Sequence, residues 1–335
     1  MKNLFIFSFE KSQKYSLRWI QVVSFTIAFF ISLAVLEILN HYFVIEKSQN
    51  FTTLNSFLDG KHQVEILFLG DSHFRRGIDV SQLRRKTFNL SFVGTNYIAS
   101  YYVLKRYMDE MPNLKLVVLP LDPHSFSSFR TSDMAEDIFW DQFVDYRELS
   151  KMTNGRSLRK WVNLTLLSER FGRLNFIRNL RDLIFHKNFS FPPLGEERLA
   201  LGEGLGDIEQ KASLKVKQQF EGHEVFDEIL LNYFEKILRF CKTRGIIIVT
   251  LQMPLSSEYL KWVKLYFSED ELRKKILQNP RFNSLIDKNL NYLTLYQTRD
   301  GLFSWGVTRD GDHLNKKGRE LFSKIVSREV LDCLN

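Results

Sequence analysis

The sequence predicts an α/β protein, a parallel sheet with helices on both faces, which carries a helical insertion and one N-terminal transmembrane helix. Three observations lead there. From residue 62 onward, short apolar runs alternate with amphipathic stretches. One of those runs, LKLVVLPL at 114–121, is almost continuously apolar, as a strand covered on both faces must be. Near the start, residues 19–36 hold no charged side chain.

The elements follow in order. VEILFLG (64–70) reads as the first strand, and TFNLSF (87–92) as the second. After Gly94 comes a helical stretch, NYIASYYVLKRYMDEM, then the third strand at 114–121. FDEILLNYFEKILRFCKTRG has one apolar face, a basic end and a terminal glycine, Gly245, all signs of a helix and its stop. GIIIVTLQMPL (245–255) is the fourth strand and NYLTLY (291–296) the fifth. A closing helix starts after Asn315. Strand–helix alternation closes a parallel sheet through right-handed crossovers, and such sheets bind ligands beyond the carboxyl ends of their strands.

Residues 125–225 do not fit the alternation. Their apolar positions recur at three- and four-residue spacing with arginines between, which predicts a helical insertion. The resulting organisation is a cytoplasmic N-terminus (1–18), a membrane anchor (19–41), a polar linker (42–61) and a domain over 62–335. The charge-free run of 18 residues would span ~27 Å as a helix. Lys2, Lys11, Lys14 and Arg18 precede it and only Lys47 follows closely, so the positive-inside rule puts the domain outside the cytoplasm.

Bulk composition narrows the function less. The chain of 335 residues is 44% hydrophobic and 26% charged, in the globular range. Its formal charge of +8 lies largely in the N-terminal flank and one central segment. No zinc-finger spacing, RNA-binding signature or basic tail points to nucleic acid. The two cysteines, Cys241 and Cys333, have no metal-site spacing and are expected on opposite faces of the sheet, unbridged. No metal or other cofactor is expected.

Two motifs carry chemistry. The first strand runs into Gly70-Asp71-Ser72-His73, and TRDGDHLN (308–315) precedes the closing helix. A serine needs a base within hydrogen-bond reach, itself oriented by a third group. His313 is the expected base and Asp310 the expected orienting acid, because a three-residue spacing returns a carboxylate toward the imidazole within one turn. Asp312, adjacent in sequence, is expected to point elsewhere but stays open as the second choice. Taken singly, these residues are also ordinary turn and helix-cap chemistry: Ser72 suits a helix-capping turn and Asn315 a helix cap. Their common place at one sheet edge favours the catalytic reading.

The two blocks resemble those of the SGNH (GDSL-like) hydrolase superfamily: Gly70-Asp71-Ser72 matches its first and Asp310 to His313 its last, over roughly 62–125 and 225–335. The resemblance implies a flavodoxin-like sheet, Ser72 as nucleophile and an oxyanion hole. Ser72 and Gly94 would give backbone N–H groups to that hole, with Asn96 a further candidate. Where the family carries Gly-x-Asn-Asp, this chain reads LPLDPHSF, and Asp122 and His124 take that place. Membrane-anchored SGNH-like proteins of bacterial envelope modification, among them D-alanine transfer and alginate O-acetylation proteins, share that departure. The implied activity is that of an esterase or acyltransferase acting on O-acyl or O-acetyl groups of envelope polysaccharide or lipid, with a membrane protein as acyl donor. Asp71, His73, Arg76, Asp122 and His124 are the candidates for substrate contact. Two other classes stay open. One is a scaffold of the same fold that binds polymer or partner membrane proteins without catalysis. The other is a phosphoryl-transfer or metal enzyme using Asp71, Asp122 and His124.

Overall fold

The structure, a computed structural model, describes residues 19–32, 35, 49–134, 143, 208–295 and 312–334. The chain divides into two units, one of residues 1–51 and 163–189, the other of 52–162 and 190–335.

In the first unit, residues 19–32 form a helix whose large apolar side chains are exposed, Trp19, Phe25 and Phe30 among them. Among the described residues no helix is long and apolar enough to cross a membrane. The remainder of the expected anchor, 33–34 and 36–41, lies outside them.

The second unit is built on five parallel strands: β1 (Ile66–Phe68), β2 (Thr87–Asn89), β3 (Leu116–Pro120), β4 (Ile247–Gln252) and β5 (Lys288–Asn291). Their order across the sheet is β2-β1-β3-β4-β5, all pairs parallel. Register explains the two-sided burial. The row Phe68, Val118, Val249 faces one side and the row Leu67, Val117, Ile248 the other, and all six are fully buried. The central strands β1, β3 and β4 therefore read mostly apolar.

The described helices are α1 (Gln49–Gly60), α2 (Ser72–Gly77), α3 (Tyr97–Tyr107), α4 (Phe129–Met134), α5 (Ile208–Phe220), α6 (Glu228–Lys242), α7 (Ser257–Val263) and α8 (Lys316–Asp332), besides shorter turns. Phe74 of α2 and Phe322, Val326 and Val330 of α8 share one apolar core with Ile66, Phe68, Val118 and Leu251. On the opposite face α3 packs against α6, which also lies on β4. Asp227 caps α6, its carboxylate accepting from the N–H groups of Ile229 and Leu230. Asn315 caps α8 through Gly318 N–H at 2.6 Å. Cys241 sits on α6 and Cys333 just past α8, on opposite faces and unbridged. Burial pushes the Cys241 thiol up to about 12.

Three expectations are corrected. β5 is Lys288–Asn291, earlier than NYLTLY. Only Leu290 of this edge strand is buried, so it lacks an apolar signature, while Leu293 packs inward from the turn beyond it. Residues 52–60 belong to the second unit rather than to a polar linker. Leu54 and Phe57 are buried, and the Phe57 ring lies edge-on to Phe88 and Tyr107 at 5.4 and 5.6 Å. One such buried Phe contributes about 1.5–3 kcal/mol, which is enough to dock an otherwise polar helix. The ends of the expected insertion are also part of the α/β unit. Ser125, Phe126 and Arg130 are buried, and α5 packs on α7. Residues 135–142 and 144–207, the bulk of that insertion, lie outside the described residues.

Candidate active site

Strand β1 ends at Phe68, and Gly70 and Asp71 turn the chain into α2. The turn is tight: a Cβ on Gly70 would stand 2.8 Å from the Phe74 ring, so a side chain there would displace a buried aromatic. Asp71 caps α2, its Oδ1 accepting from the N–H of His73 at 2.9 Å. Capping leaves Ser72 as the first helical residue, half-buried at the carboxyl edge of the sheet.

The turn before α8 delivers the base. His313 Nε2 lies 2.9 Å from Ser72 Oγ, although 241 residues separate the two. His313 Nδ1 is 2.6 Å from Asp312 Oδ1, an ion-pair distance. Asp312 was expected to point away; instead it is buried between two imidazoles, with Oδ2 at 3.5 Å from His73 Nε2. Asp310, the expected orienting acid, lies outside the described residues.

Around Ser72 is a floor of buried polar groups, most of them following the carboxyl ends of the strands, with Arg130 from α4. Asp122 follows β3; its Oδ2 meets His73 Nδ1 at 3.1 Å and its Oδ1 accepts from the N–H of Met253, after β4, at 2.6 Å. His124 Nε2 lies 2.8 Å from Asp71 Oδ2. Arg130 donates to the same carboxylate and, at 3.1 Å, to the carbonyl of Thr95. Burial raises the pKa of Asp71, but Arg130, with His124 and His73, outweighs it and holds the carboxyl well below its usual range. Burial opposes charge on His73 too, yet its bonds to Asp122 and Asp312 and the nearby Asp71 raise it to about 10. For His124, burial and the neighbouring His73 lower the pKa, more than Asp71 raises it.

This geometry revises several expected roles. Asp71, His73, Asp122 and His124 are buried and bonded to one another, so they shape the site from below instead of touching substrate. Arg76 is half-buried on α2. Asn96, expected as an oxyanion donor, is committed elsewhere. Its Oδ1 caps α3, accepting from Ile98 and Ala99, and its Nδ2 donates to the Arg130 carbonyl at 2.8 Å. Gly94 stands in the turn after β2 with a positive φ of 77°, which favours glycine. Phe92 N–H reaches Gly70 O at 3.0 Å, so this turn flanks the serine end of β1.

Arg130 is the residue that sequence reasoning missed. It lies in the stretch assigned to the insertion, and no spacing links it to Asp71. The ligand-type atoms of Asp71, His73, Asp122 and His124, and those of His73, Asp312 and His313, are close enough to share a cation. At Asp71, chemistry argues against that use. The Arg130 guanidinium already bonds Asp71, and a divalent ion would meet that fixed positive charge.

No family model matches the chain, and no curated protein matches it. Among solved structures, one match is a chain described as a "putative platelet activating factor from Streptococcus pneumonia". It is 13% identical, covers 91% of this chain and 99% of its own, and superposes with a TM-score of 0.38, too slight a likeness to carry an argument.

Proposed function

We propose that the chain is a serine esterase or O-acyltransferase of SGNH type, with a flavodoxin-like sheet order. We place it at the cell membrane through an anchor at 19–41, its domain outside the cytoplasm, with O-acylated envelope polysaccharide or lipid as substrate. A membrane protein would supply acyl groups if the reaction is transfer. The observation that carries the reading is the 2.9 Å contact between Ser72 Oγ and His313 Nε2, at the sheet edge where such folds react. The anchor rests on the charge-free run 19–36.

In this mechanism Ser72 Oγ attacks the acyl carbonyl while His313 Nε2 takes the hydroxyl proton. The backbone N–H groups of Ser72 and Gly94 stabilise the oxyanion. His313 then gives its proton to the departing alcohol, and the acyl-enzyme passes to water or to a sugar hydroxyl. Asp312, with Oδ1 at ion-pair distance from His313 Nδ1, stabilises the imidazolium that forms; Asp310 shares that role if its side chain also reaches the ring. Comparing Asp312→Asn with Asp310→Asn divides the role between them.

The test is labelling of the full-length protein by a fluorophosphonate, beside Ser72→Ala and His313→Ala. Labelling that disappears in both variants is the expected result. A folded wild-type protein that stays unlabelled sinks the reading. That result would favour a scaffold that binds polymer or membrane partners without catalysis. One observation supports such a scaffold: Asn96 Nδ2 already donates to the Arg130 carbonyl and Asp122 accepts from the N–H of Met253, so both side chains are engaged in the floor of the site.

A further inference from the structure

We propose that the acid of this site works within a longer buried chain, Ser72–His313–Asp312–His73–Asp122, in which His73 is the positioning residue that holds Asp312 against His313. The inference rests on the serine-hydrolase reading for its catalytic consequence, but not for its geometry.

The chain can be followed atom by atom. Ser72 Oγ meets His313 Nε2 at 2.9 Å, and His313 Nδ1 meets Asp312 Oδ1 at 2.6 Å. Asp312 Oδ2 lies 3.5 Å from His73 Nε2, and His73 Nδ1 lies 3.1 Å from Asp122 Oδ2. Asp122 Oδ1 closes on the backbone N–H of Met253 at 2.6 Å. The far end is thus tied to the carboxyl ends of two neighbouring, hydrogen-bonded strands, β3 and β4.

The contacts amount to more than adjacency. Consecutive side chains ordinarily diverge, so keeping the Asp312 carboxylate beside the ring of the next residue needs a second anchor, and His73 Nε2 is one. Next, His73 faces a carboxylate oxygen from each ring nitrogen. A neutral imidazole has one N–H and one lone pair, and would turn the lone pair toward one of the acids. Only the doubly protonated ring suits both. His73, 3% exposed, is accordingly a buried cation between two acids, and its rise to about 10 agrees.

Among the described residues, these charged and titratable groups face the pair. His73 faces Asp71, Asp122, Asp312 and the His124 ring at 4.4 Å. His313 faces Ser72, Asp312 and the His73 ring at 4.8 Å. A cation at His73 shares the charge of Asp312 and disfavours a second proton on His313, so His313 stays neutral and able to accept the serine proton. Replacing His73 with a neutral side chain should let His313 protonate more readily and move the acid limb of the reaction upward.

The experiment uses full-length protein with 15N-labelled histidine rings, beside His73→Gln and Asp312→Asn, with circular dichroism to verify folding. The expected ring signal is a doubly protonated His73 at pH 8 that loses a proton in Asp312→Asn. A neutral His73 at pH 8, or one whose charge ignores Asp312→Asn, overturns the chain. Should Asp312→Asn not fold, Asp122→Asn puts the same question from the other end.

The second readout is fluorophosphonate labelling against pH. His73→Gln should label more slowly in acid, by up to about tenfold for a one-unit rise in His313, and recover toward wild type at high pH. A fall by the same factor at all pH values would show a merely structural role and overturn the positioning claim. If wild-type protein takes no label at all, the hydrolase reading fails by itself, while the ring signals still decide the chain.

Discussion

Two histidines share the floor of the site with rings 4.4 Å apart, and their surroundings drive them in opposite directions. Both are buried, and burial disfavours charge on each. His73 meets Asp122 and Asp312 directly and feels Asp71, and these acids prevail. His124 has Asp71 at 2.8 Å, but Arg130 bonds the same oxygen and His73 repels a second proton nearby. Identical side chains at equal depth thus differ because one faces carboxylates of its own and the other must share. What decides is how many acids remain unmatched, not how deep the ring lies.

The largest expected effect comes from breaking that asymmetry at Arg130. Arg130→Met removes the guanidinium that matches Asp71 and leaves the buried carboxylate with His124. Removing one partner of a buried ion pair costs about 3–5 kcal/mol, and denaturant unfolding should show a loss of that size. The variant should also turn His124 into a cation near neutral pH, so that it resembles His73. Ring 15N shifts check this. A His124 that stays neutral would mean that burial, not competition for Asp71, sets its state.

A smaller effect separates the two rings by pH. The folded-state pKa of His73 is raised above 6.5, so its contribution is complete below 6.5 and is lost as pH rises through about 10. His124 is lowered, so the unfolded chain binds its proton more readily and the fold loses stability as pH falls below 6.5. Asp71 is held low, so its contribution is present above 3.8 and is lost only in stronger acid. Thermal midpoints measured across pH should therefore peak near neutrality. His73→Gln should flatten the alkaline side and His124→Gln the acid side. The same curve in all three proteins would sink the assignment.

How much of this was legible in the sequence follows from the same physics. Ser72 and His313 each stand at a junction, strand into helix and turn into helix, and junctions leave marks such as Gly70, Asp71 and Asn315. The central strands β1, β3 and β4 were legible because both faces are buried and their positions are mostly apolar. β5 was not, since an edge strand buries only Leu290. Asp71, His73, Asp122 and His124 read as substrate-binding because polar residues beside a nucleophile ordinarily face solvent. Their burial depends on partners brought from 50 or more positions away, such as Arg130 on α4. Asp312 ranked second to Asp310 by a rule about adjacent side chains that holds in extended chain and fails where a second imidazole captures the acid. Asn96 was misjudged because a sequence shows an amide but not which end of it is already spent.

The smallest effect concerns Asn96, and it tests whether the Arg130 side of the floor is a support or part of the reaction. Its Oδ1 caps α3 and its Nδ2 donates to the carbonyl of Arg130 at 2.8 Å. Asn96→Ala loses both, and helix caps are worth about 0.5–2 kcal/mol. Asn96→Ser keeps a capping oxygen but lacks the reach to Arg130, so the difference between the variants isolates the tether, about 0.5–1.5 kcal/mol for one hydrogen bond. Fluorophosphonate labelling of Ser72 should stay within about twofold of wild type in Asn96→Ser, because the amide has no part in the chemistry. Loss of an oxyanion donor costs about 10²–10³ in rate. A drop of that size in a folded Asn96→Ser protein would return Asn96 to the oxyanion hole and mean that the amide turns toward substrate during the reaction.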